Sequence, residues 1–314
     1  MGEGTDIRRF LAVLSGENYS LAKDEILAIA EAEDLKAEIV CIQGKFLIIE
    51  AAASLRYAIK RAAMTNYLYE EITILPKPST FKIESTKRDL IKKYADDLIS
   101  KGFSVNLTSP IYTFRAERIC DYEFFGIKVF ERDRRSFEMR KVQYRPFSKP
   151  ISVHPKLARA MVNLARTKKG KKFLDPFCGT GGILIEACLV GARAYGIDID
   201  MEMVKGSLKN LRYYGLNATV EWGDVSEARK LGKFWSIATD PPYGRSASTK
   251  REGIYELYDR AFQVFSDVLE GYLCINLPDD RSVEMGENYL KLEKVYLQRV
   301  HKNLTRRICV FSRN

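Results

Sequence analysis

The C-terminal half of the chain alternates short apolar runs with amphipathic stretches, a pattern that predicts parallel strands connected by helices. Seven strands are predicted, the last two of them as a closing hairpin, at 172–175, 193–198, 218–222, 234–239, 271–276, 294–300 and 306–311. Helices are predicted at 183–190, where Gly191 ends the apolar run, and at 255–269. This half is therefore predicted to be a doubly wound α/β sheet.

The N-terminal half has a different order of elements. Its first part predicts a strand at 9–14, a helix at 20–32, a hairpin of two strands at 37–42 and 45–50, a helix at 54–64 and a strand at 67–74. This βαββαβ order is that of a small ferredoxin-like α+β module, and Pro76-Lys77-Pro78 marks its end. The pattern then restarts with a strand, a helix and three strands at 81–83, 88–101, 103–107, 112–120 and 122–130.

Composition restricts the class of protein. A chain of 314 residues exceeds one ordinary hydrophobic core, so two or three domains are expected. It has no apolar run near about 18 residues and begins without a signal peptide, so we expect a cytoplasmic protein and no membrane partner. Six scattered cysteines without C-x-x-C pairs predict buried free thiols, and only two histidines argue against a metal site.

The net charge of +10 suggests a polyanionic partner. Residues 1–70 carry 8 basic and 11 acidic side chains, a net −3, so the rest of the chain carries +13. Basic clusters occur at 87–88, 92–93, 132–135, 140–141, 168–172 and 306–307. A solvated face explains any one of them, whereas all of them together with interspersed aromatic residues fit RNA binding.

The tetrapeptide Asp240-Pro241-Pro242-Tyr243 follows one predicted strand and suits an amino-bearing base. The prolines fix the backbone and the direction of their carbonyls. A carboxylate and a carbonyl can accept both hydrogens of an exocyclic NH2 group, while Tyr243 stacks on the ring. The same four residues also fit an ordinary strand-to-loop turn.

Acids end three further predicted strands of the same sheet, at Asp175, Asp198 and Asp224, and four such acids at one edge exceed what capping alone explains. Asp175 opens a glycine loop, Pro176-Phe177-Cys178-Gly179-Thr180-Gly181-Gly182, that lets a ligand approach the backbone. Leu184 stands where the dinucleotide fingerprint needs its third glycine, which disfavours NAD and FAD.

These motifs, in this order, resemble those of the class I S-adenosylmethionine-dependent methyltransferases, whose domain has a Rossmann-like, mixed seven-stranded sheet. The resemblance implies that Asp175, Pro176, Phe177, Gly179, Thr180 and Gly181 line the methionine end of the cofactor. Asp198 and Ile199 would hold the ribose, and Asp224 and Val225 the adenine. Asp240, Pro241, Pro242 and Tyr243 would bind the acceptor amine. Ser152 and His154 are candidates for the methionine end, although His154-Pro155 also fits a helix start.

The second N-terminal module resembles a THUMP domain, an RNA-binding domain of RNA-modifying enzymes, through the stretches 81–88, 105–107 and 144–158. With the extension Gly244-Arg245-Ser246-Ala247-Ser248, the whole chain resembles the archaeal tRNA (guanine-10, N2) methyltransferases. The resemblance implies a ferredoxin-like domain at 1–75, a THUMP domain at 76–145, a linker at 146–156 and a methyltransferase domain at 157–314. It implies tRNA as substrate, with Arg245, Ser246, Lys87 and Arg88 as candidate contacts.

Other functions remain open from the sequence. The target guanosine can lie elsewhere in tRNA or rRNA, because the order of modules is shared with other guanine N2-methyltransferases. A DNA adenine 6-amino methyltransferase also uses D-P-P-Y, and an RNA-binding protein with a vestigial cofactor fold is the non-enzymatic alternative. The sequence leaves open whether one or two methyl groups are added and whether a partner subunit is needed.

Overall fold

The computed structural model describes residues 6–16, 18–149, 152–243, 253–301 and 304–313, with the side chains of 299–301, 304 and 305 excluded. The chain forms two compact units, Met1–Arg132 and Asp133–Asn314. Among the described residues, no helix has both the length and the apolar character that a membrane crossing requires.

The first unit is built on one eight-stranded sheet with the order β2-β3-β1-β4-β8-β7-β5-β6. Its elements are β1 (Ile7–Leu14), α1 (Tyr19–Ala32), β2 (Ala37–Gln43), β3 (Phe46–Ala52), α2 (Leu55–Ala58), β4 (Thr65–Glu71), β5 (Thr80–Glu84), α3 (Arg88–Ser100), β6 (Ser104–Val105), β7 (Tyr112–Ile119) and β8 (Tyr122–Glu131). The predicted βαββαβ order is observed, and β1 pairs antiparallel with both β3 and β4. Antiparallel pairing of β4 with β8 joins the two predicted modules into a single sheet.

Helix α2 is shorter than predicted for a reason visible in the core. The prediction continued this helix to Met64, but it ends in a single 3₁₀ turn at Ile59–Arg61 and Ala62 is extended. The fully buried Glu25 accepts hydrogen bonds from the backbone N–H groups of Ala63 (2.9 Å) and Met64 (2.7 Å). Because these donors are satisfied by a side chain of α1, the backbone does not need a further helical turn.

The prediction of free thiols is wrong for two of the six cysteines. Cys41 on β2 and Cys120 in the turn between β7 and β8 form a disulfide, with Cα atoms 6.8 Å apart. Four strands stand between β2 and β7 in the sheet order, yet β2 and β7 contact each other, and the Cys120 N–H donates to Gln43 Oε1 at 2.8 Å. Curvature of the sheet therefore brings together two positions that are 79 residues apart in sequence. Cys178, Cys274 and Cys309 are buried free thiols, and Cys188 is a half-buried one.

The second unit contains a seven-stranded sheet with the order β11-β10-β9-β12-β13-β15-β14. Its elements are α4 (Arg134–Met139), α5 (Pro155–Leu164), β9 (Lys172–Asp175), α6 (Gly182–Leu189), β10 (Arg193–Asp198), α7 (Met201–Tyr213), β11 (Thr219–Trp222), β12 (Phe234–Thr239), α8 (Ile254–Val268), β13 (Leu269–Leu277), α9 (Asp280–Glu287), β14 (Lys291–His301) and β15 (Leu304–Ser312). Strands β9 to β13 are parallel, and β15 runs antiparallel between β13 and β14. The predicted mixed seven-stranded sheet is confirmed.

Residues 133–149 pack within this second unit. Arg140 and Arg159 form ion pairs with the fully buried Glu186 of α6, at 2.7 Å and 2.8 Å. The backbone N–H of Phe147 donates to Asn210 on α7 at 2.9 Å. Helices α4, α7 and α9 were not predicted. Helices α4 and α9 are shorter than three turns, so their apolar periodicity is correspondingly weak.

Candidate active site

The carboxyl ends of the parallel strands bring the four predicted acids to one edge of the sheet. Asp175 and Asp198 are the last residues of β9 and β10. Asp224 follows β11 by two residues, and Asp240 follows β12 directly. Ligands of open α/β sheets bind at this edge, so its geometry decides what the protein can bind.

The glycine loop between β9 and α6 is open on one side and tightly packed on the other. Gly179 and Gly181 have φ values of +49° and +78°, which favour glycine. A Cβ atom at Gly181 would lie 2.5 Å from the Ser207 hydroxyl, whereas one at Gly179 would meet no atom within 4 Å. The space beside Gly179 is therefore the kind of cradle that a ligand occupies.

Asp175 lies beneath this loop and is almost completely buried. Its Oδ1 accepts hydrogen bonds from the Thr239 hydroxyl (2.7 Å) and the Phe177 N–H (3.3 Å). Burial raises the pKa of the Asp175 carboxyl to about 7, and the nearby carboxylates of Asp198 and Asp240 act in the same direction. Pro176 is buried beside it.

Asp198 connects β10 to the glycine loop. Its Oδ2 accepts from the Gly179 N–H at 2.8 Å, and its Oδ1 accepts from the Asp200 N–H at 2.9 Å. Burial raises the pKa of this carboxyl despite the two backbone donors. Each oxygen has a second lone pair for a hydroxyl donor. Ile199 is exposed beside it and accepts from the Trp222 indole N–H through its carbonyl oxygen at 3.0 Å.

The predicted adenine contacts, Asp224 and Val225, have other partners. Asp224 Oδ1 caps the following 3₁₀ turn by accepting from the Ser226 N–H (3.1 Å), and Oδ2 pairs with Arg260 on α8 (2.9 Å). Burial alone would raise the pKa of Asp224, but the hydrogen bonds from Ser226 and the charge of Arg260 lower it. The Val225 side chain is buried in the hydrophobic core, so only its backbone is placed to meet a ligand.

Thr180 connects the glycine loop to the segment before α5. Its hydroxyl lies 2.8 Å from the Ser152 hydroxyl, and its carbonyl oxygen accepts from the Asn210 amide at 2.9 Å. His154 is the N-cap of α5: its Nδ1 accepts from the Lys156 N–H at 3.2 Å, and Pro155 follows at the first helical position. The helix-start interpretation of His154-Pro155 is therefore confirmed, and Ser152 lies beside the predicted cofactor loop.

The Asp240-Pro241-Pro242-Tyr243 segment is largely buried. The Asp240 side chain is 13% exposed, and its Oδ1 accepts hydrogen bonds from the Tyr243 hydroxyl and from the Asn276 amide (3.0 Å). The Pro242 carbonyl oxygen accepts from the Tyr258 hydroxyl at 2.7 Å. Burial raises the pKa of the Asp240 carboxyl, while these donors and the charge of Arg306 oppose that shift.

Comparisons with known proteins identify the family. The model of the RMKL-like methyltransferase domain matches residues 142–308. The tRNA (guanine(10)-N2)-dimethyltransferase of Pyrococcus abyssi is 35% identical over 297 residues, which are 92% of this chain and 83% of that protein. The chain belongs to the tRNA (guanine(10)-N2)-methyltransferase family. A DNA methylase model matches a shorter region, 67–209, that ends before Asp240.

Solved structures show the same fold for this family member over nearly the whole chain. TrmN from Thermus thermophilus has a TM-score of 0.53 at 17% identity, covering 98% of this chain and 100% of that one. SMU.472 complexed with S-adenosylhomocysteine has a TM-score of 0.50 at 15% identity and covers 99% of both chains. The catalytic unit is a class I methyltransferase fold, and S-adenosylmethionine is its cofactor.

The residues at the sheet edge fit this cofactor. The space beside Gly179 is open, its N–H donates to the half-buried Asp198 carboxylate, and the hydroxyls of Thr180 and Ser152 lie together at the same loop. We expect the glycine loop to hold the methionine end of the cofactor. We expect the Asp198 carboxylate to accept hydrogen bonds from the ribose hydroxyls.

The sequence did not reveal three residues of this methyltransferase site. Tyr258 on α8, Asn276 on β13 and Arg306 on β15 all contact the Asp240–Tyr243 segment. A polar Asn276 within the apolar run of β13 was the available signal. Arg306 was assigned with Arg307 to an RNA-binding cluster, but Arg307 instead pairs with Asp280.

Two of the predicted substrate contacts, Arg245 and Ser246, lie outside the described residues. Lys87 and Arg88 lie in the first unit, at the N-terminus of α3, and both side chains are exposed. Their role in substrate binding stays a prediction.

Proposed function

We propose that this methyltransferase family member transfers a methyl group to the 2-amino group of guanosine 10 of tRNA. The observation that carries the proposal is the buried Asp240 carboxylate at the cofactor edge of the sheet, beside the aromatic ring of Tyr243. Relatives with this substrate in their names align with almost the full chain, which supports the choice of tRNA and of position 10.

The chemical step requires a more nucleophilic amine. S-adenosylmethionine supplies a methyl group on a sulfonium centre, which is an electrophile. The lone pair of the guanine 2-amino group is delocalised into the ring, so the protein must localise it and aim it. We propose that Asp240 Oδ2 accepts one N–H and that a proline carbonyl accepts the other. One lone pair of the Pro242 carbonyl oxygen is occupied by the Tyr258 hydroxyl, and we propose the carbonyl of Pro241 as this second acceptor.

The proton of the amine leaves as the N–C bond forms. We propose that Asp240 takes it, because burial raises the pKa of this carboxyl and makes it a better base than an exposed aspartate. The methyl group replaces that proton on nitrogen, so the product carries one N–H less. A second round on the same nitrogen gives the dimethylated base if the pocket accepts the first methyl group.

The target base must leave its stack to reach a buried carboxylate, at a cost of a few kcal/mol. Tyr243 offers a ring on which the flipped base can stack. Arg245 and Ser246, which follow this ring in sequence, are proposed contacts to the flipped nucleoside or its phosphate.

We propose that the N-terminal unit binds tRNA as a ferredoxin-like module at 1–75 followed by a THUMP domain. The sequence predicted that domain at 76–145, with a linker at 146–156 and the methyltransferase domain at 157–314, and residues 133–145 of it pack within the second unit. Exposed Lys87 and Arg88 at the start of α3 support phosphate contacts there. The substrate places the enzyme where tRNA is processed, and we propose the cytoplasm.

The proposal is tested by mass spectrometry of nucleosides from an unmodified tRNA transcript incubated with the protein and S-adenosylmethionine. A transcript with adenosine at position 10 serves as the matched control. The expected product is N2-methylguanosine or N2,N2-dimethylguanosine, absent from the control. Methylguanosine in both transcripts would refute position 10, and methylation of duplex DNA alone would refute the tRNA substrate.

A further inference from the structure

The two oxygens of the Asp240 carboxylate have different surroundings. Oδ1 accepts two hydrogen bonds, from the Asn276 amide at 3.0 Å and from the Tyr243 hydroxyl. Among the residues that the structure describes, Oδ2 accepts none, and its closest cationic atom is Nη1 of Arg306 at 4.0 Å. The carboxylate is therefore fixed through one oxygen, and the other keeps its lone pairs for a further donor.

Asn276 reaches Asp240 through the strand register. Thr239 on β12 pairs with Ile275 on β13, so the next residue of each strand lies side by side. The Asn276 side chain is fully buried, and its amide nitrogen also lies 3.6 Å from the Met161 sulfur. Its Oδ1 is buried without a hydrogen-bond partner among the described residues. An unsatisfied amide oxygen at this fully buried position costs stability, which indicates a role beyond packing.

Arg306 approaches the same carboxylate from β15. Its guanidinium lies 4.9 Å from the centre of the Tyr243 ring, a distance at which a cation is attracted to the ring face. Its side chain is 22% exposed, and its Nε is buried without a hydrogen-bond partner among the described residues. The next residue, Arg307, pairs instead with Asp280 and the Pro278 carbonyl oxygen. Successive side chains of a strand point to opposite faces of the sheet, so of these two arginines Arg306 is the one directed to Asp240.

We propose that Asn276 and Arg306 are positioning residues for the methyl transfer. Asn276 holds Asp240 Oδ1, and Arg306 keeps the carboxylate ionised and covers one face of Tyr243. Oδ2 is then the oxygen that accepts the amine N–H of the substrate, and the base stacks on the opposite face of Tyr243. This inference rests on the proposed function, since it assigns the residues that prepare the same carboxylate.

The electrostatics of the site agree with these roles. Burial raises the pKa of Asp240, and the Tyr243 hydrogen bond, the Arg306 charge and the Asn276 hydrogen bond each lower it. Among the residues that the structure describes, Asp175 on β9 and Tyr258 on α8 also interact electrostatically with Asp240. Removal of Arg306 or Asn276 therefore raises the pKa of Asp240.

The test measures the titration of Asp240 directly, by NMR of the full-length protein with ¹³C-labelled aspartate carboxyls and with Asp240→Asn to assign the signal. Arg306→Met and Asn276→Leu should move its midpoint up by about one pH unit. Arg306→Lys keeps the positive charge, so the midpoint of Asp240 in this variant should lie close to that in the unsubstituted protein. The matched control is Arg307→Met, on the same strand, which should titrate as the unsubstituted protein does. An unchanged midpoint in Arg306→Met would overturn the role of Arg306, even if Asn276→Leu fails to fold.

Kinetics on tRNA provide the second arm. Arg306→Met and Asn276→Leu should lower kcat roughly ten- to hundred-fold and shift the acidic limb of its pH profile upward, with KM for tRNA little changed. A loss confined to KM would show that Arg306 binds RNA and would overturn its positioning role. Failure of the unsubstituted protein to methylate tRNA would refute the proposed function, whereas the NMR midpoints would still decide the inference.

Discussion

At the scale of single residues, the acids of the sheet edge are the part of the site that sequence predicts best. Asp175, Asp198, Asp224 and Asp240 end neighbouring parallel strands, so strand prediction alone places them together. Asn276 and Arg306 could not be found in this way. Their contacts with Asp240 depend on the register of β12 with β13 and on the insertion of β15 beside β13, which are set by packing across the sheet.

The buried Asp175 makes stability depend on pH in a defined direction. Its pKa is about 7 in the folded protein and near 3.9 in an unfolded chain, so the folded state holds one more proton between these values. The free energy of unfolding should therefore fall as pH rises through this window, by on the order of 4 kcal/mol from this group. Asp175→Asn should lack that part of the fall. Urea unfolding at several pH values from 4 to 8 measures this difference. If the free energy of unfolding depends on pH equally in both proteins, the raised pKa of Asp175 is contradicted.

At the scale of elements, the sequence predicts the order of the strands in both units but misses helices α4, α7 and α9 and some boundaries. The predicted helix at 54–64 ends early because Glu25, from another helix, satisfies the N–H groups of Ala63 and Met64. The Cys41–Cys120 disulfide was missed for a similar reason: it joins β2 to a turn 79 residues away, and only the curvature of the sheet brings the two together. Long-range partners of this kind leave no local pattern.

The disulfide should stabilise the N-terminal unit by closing a long loop in the unfolded chain. Replacing both Cys41 and Cys120 by serine should lower the free energy of unfolding by roughly 2–4 kcal/mol. Cys188→Ser, at a half-buried free thiol, is the control and should have a much smaller effect. Denaturant unfolding with and without a reducing agent measures the free energy of unfolding of both variants and of the unsubstituted protein. Insensitivity of the unsubstituted protein to the reductant would contradict the expected stabilisation.

At the scale of the whole molecule, the distribution of charge agrees with a polyanionic substrate, but not every basic cluster is available to it. Arg140 pairs with buried Glu186, Lys93 with Glu123, and Arg307 with Asp280. These cations neutralise acids of the protein itself, which sequence counting cannot distinguish from free charge. Lys87 and Arg88 are exposed at one helix end and remain the clearest candidates for phosphate contacts.

Replacing Lys87 and Arg88 by glutamine should weaken tRNA binding and leave the affinity for S-adenosylhomocysteine unchanged. Each lost phosphate contact should reduce the slope of log affinity against log salt by about 1. Lys101→Gln, at the opposite end of α3, is the matched control, since Lys101 already pairs with Asp97. Binding titrations at three or more salt concentrations give the slopes. If the double variant and the control have the same slope, these two residues do not contact tRNA.

The central claim is that Asp240 prepares a guanine amine for methyl transfer, and one measurement tests it most directly. The rate of N2-methylguanosine formation on an unmodified tRNA transcript is compared between the unsubstituted protein and Asp240→Ala, with S-adenosylhomocysteine and tRNA affinities measured on both. We expect Asp240→Ala to form N2-methylguanosine roughly 10²–10⁴-fold more slowly, with both affinities retained. An Asp240→Ala variant that forms N2-methylguanosine at the full rate would contradict it.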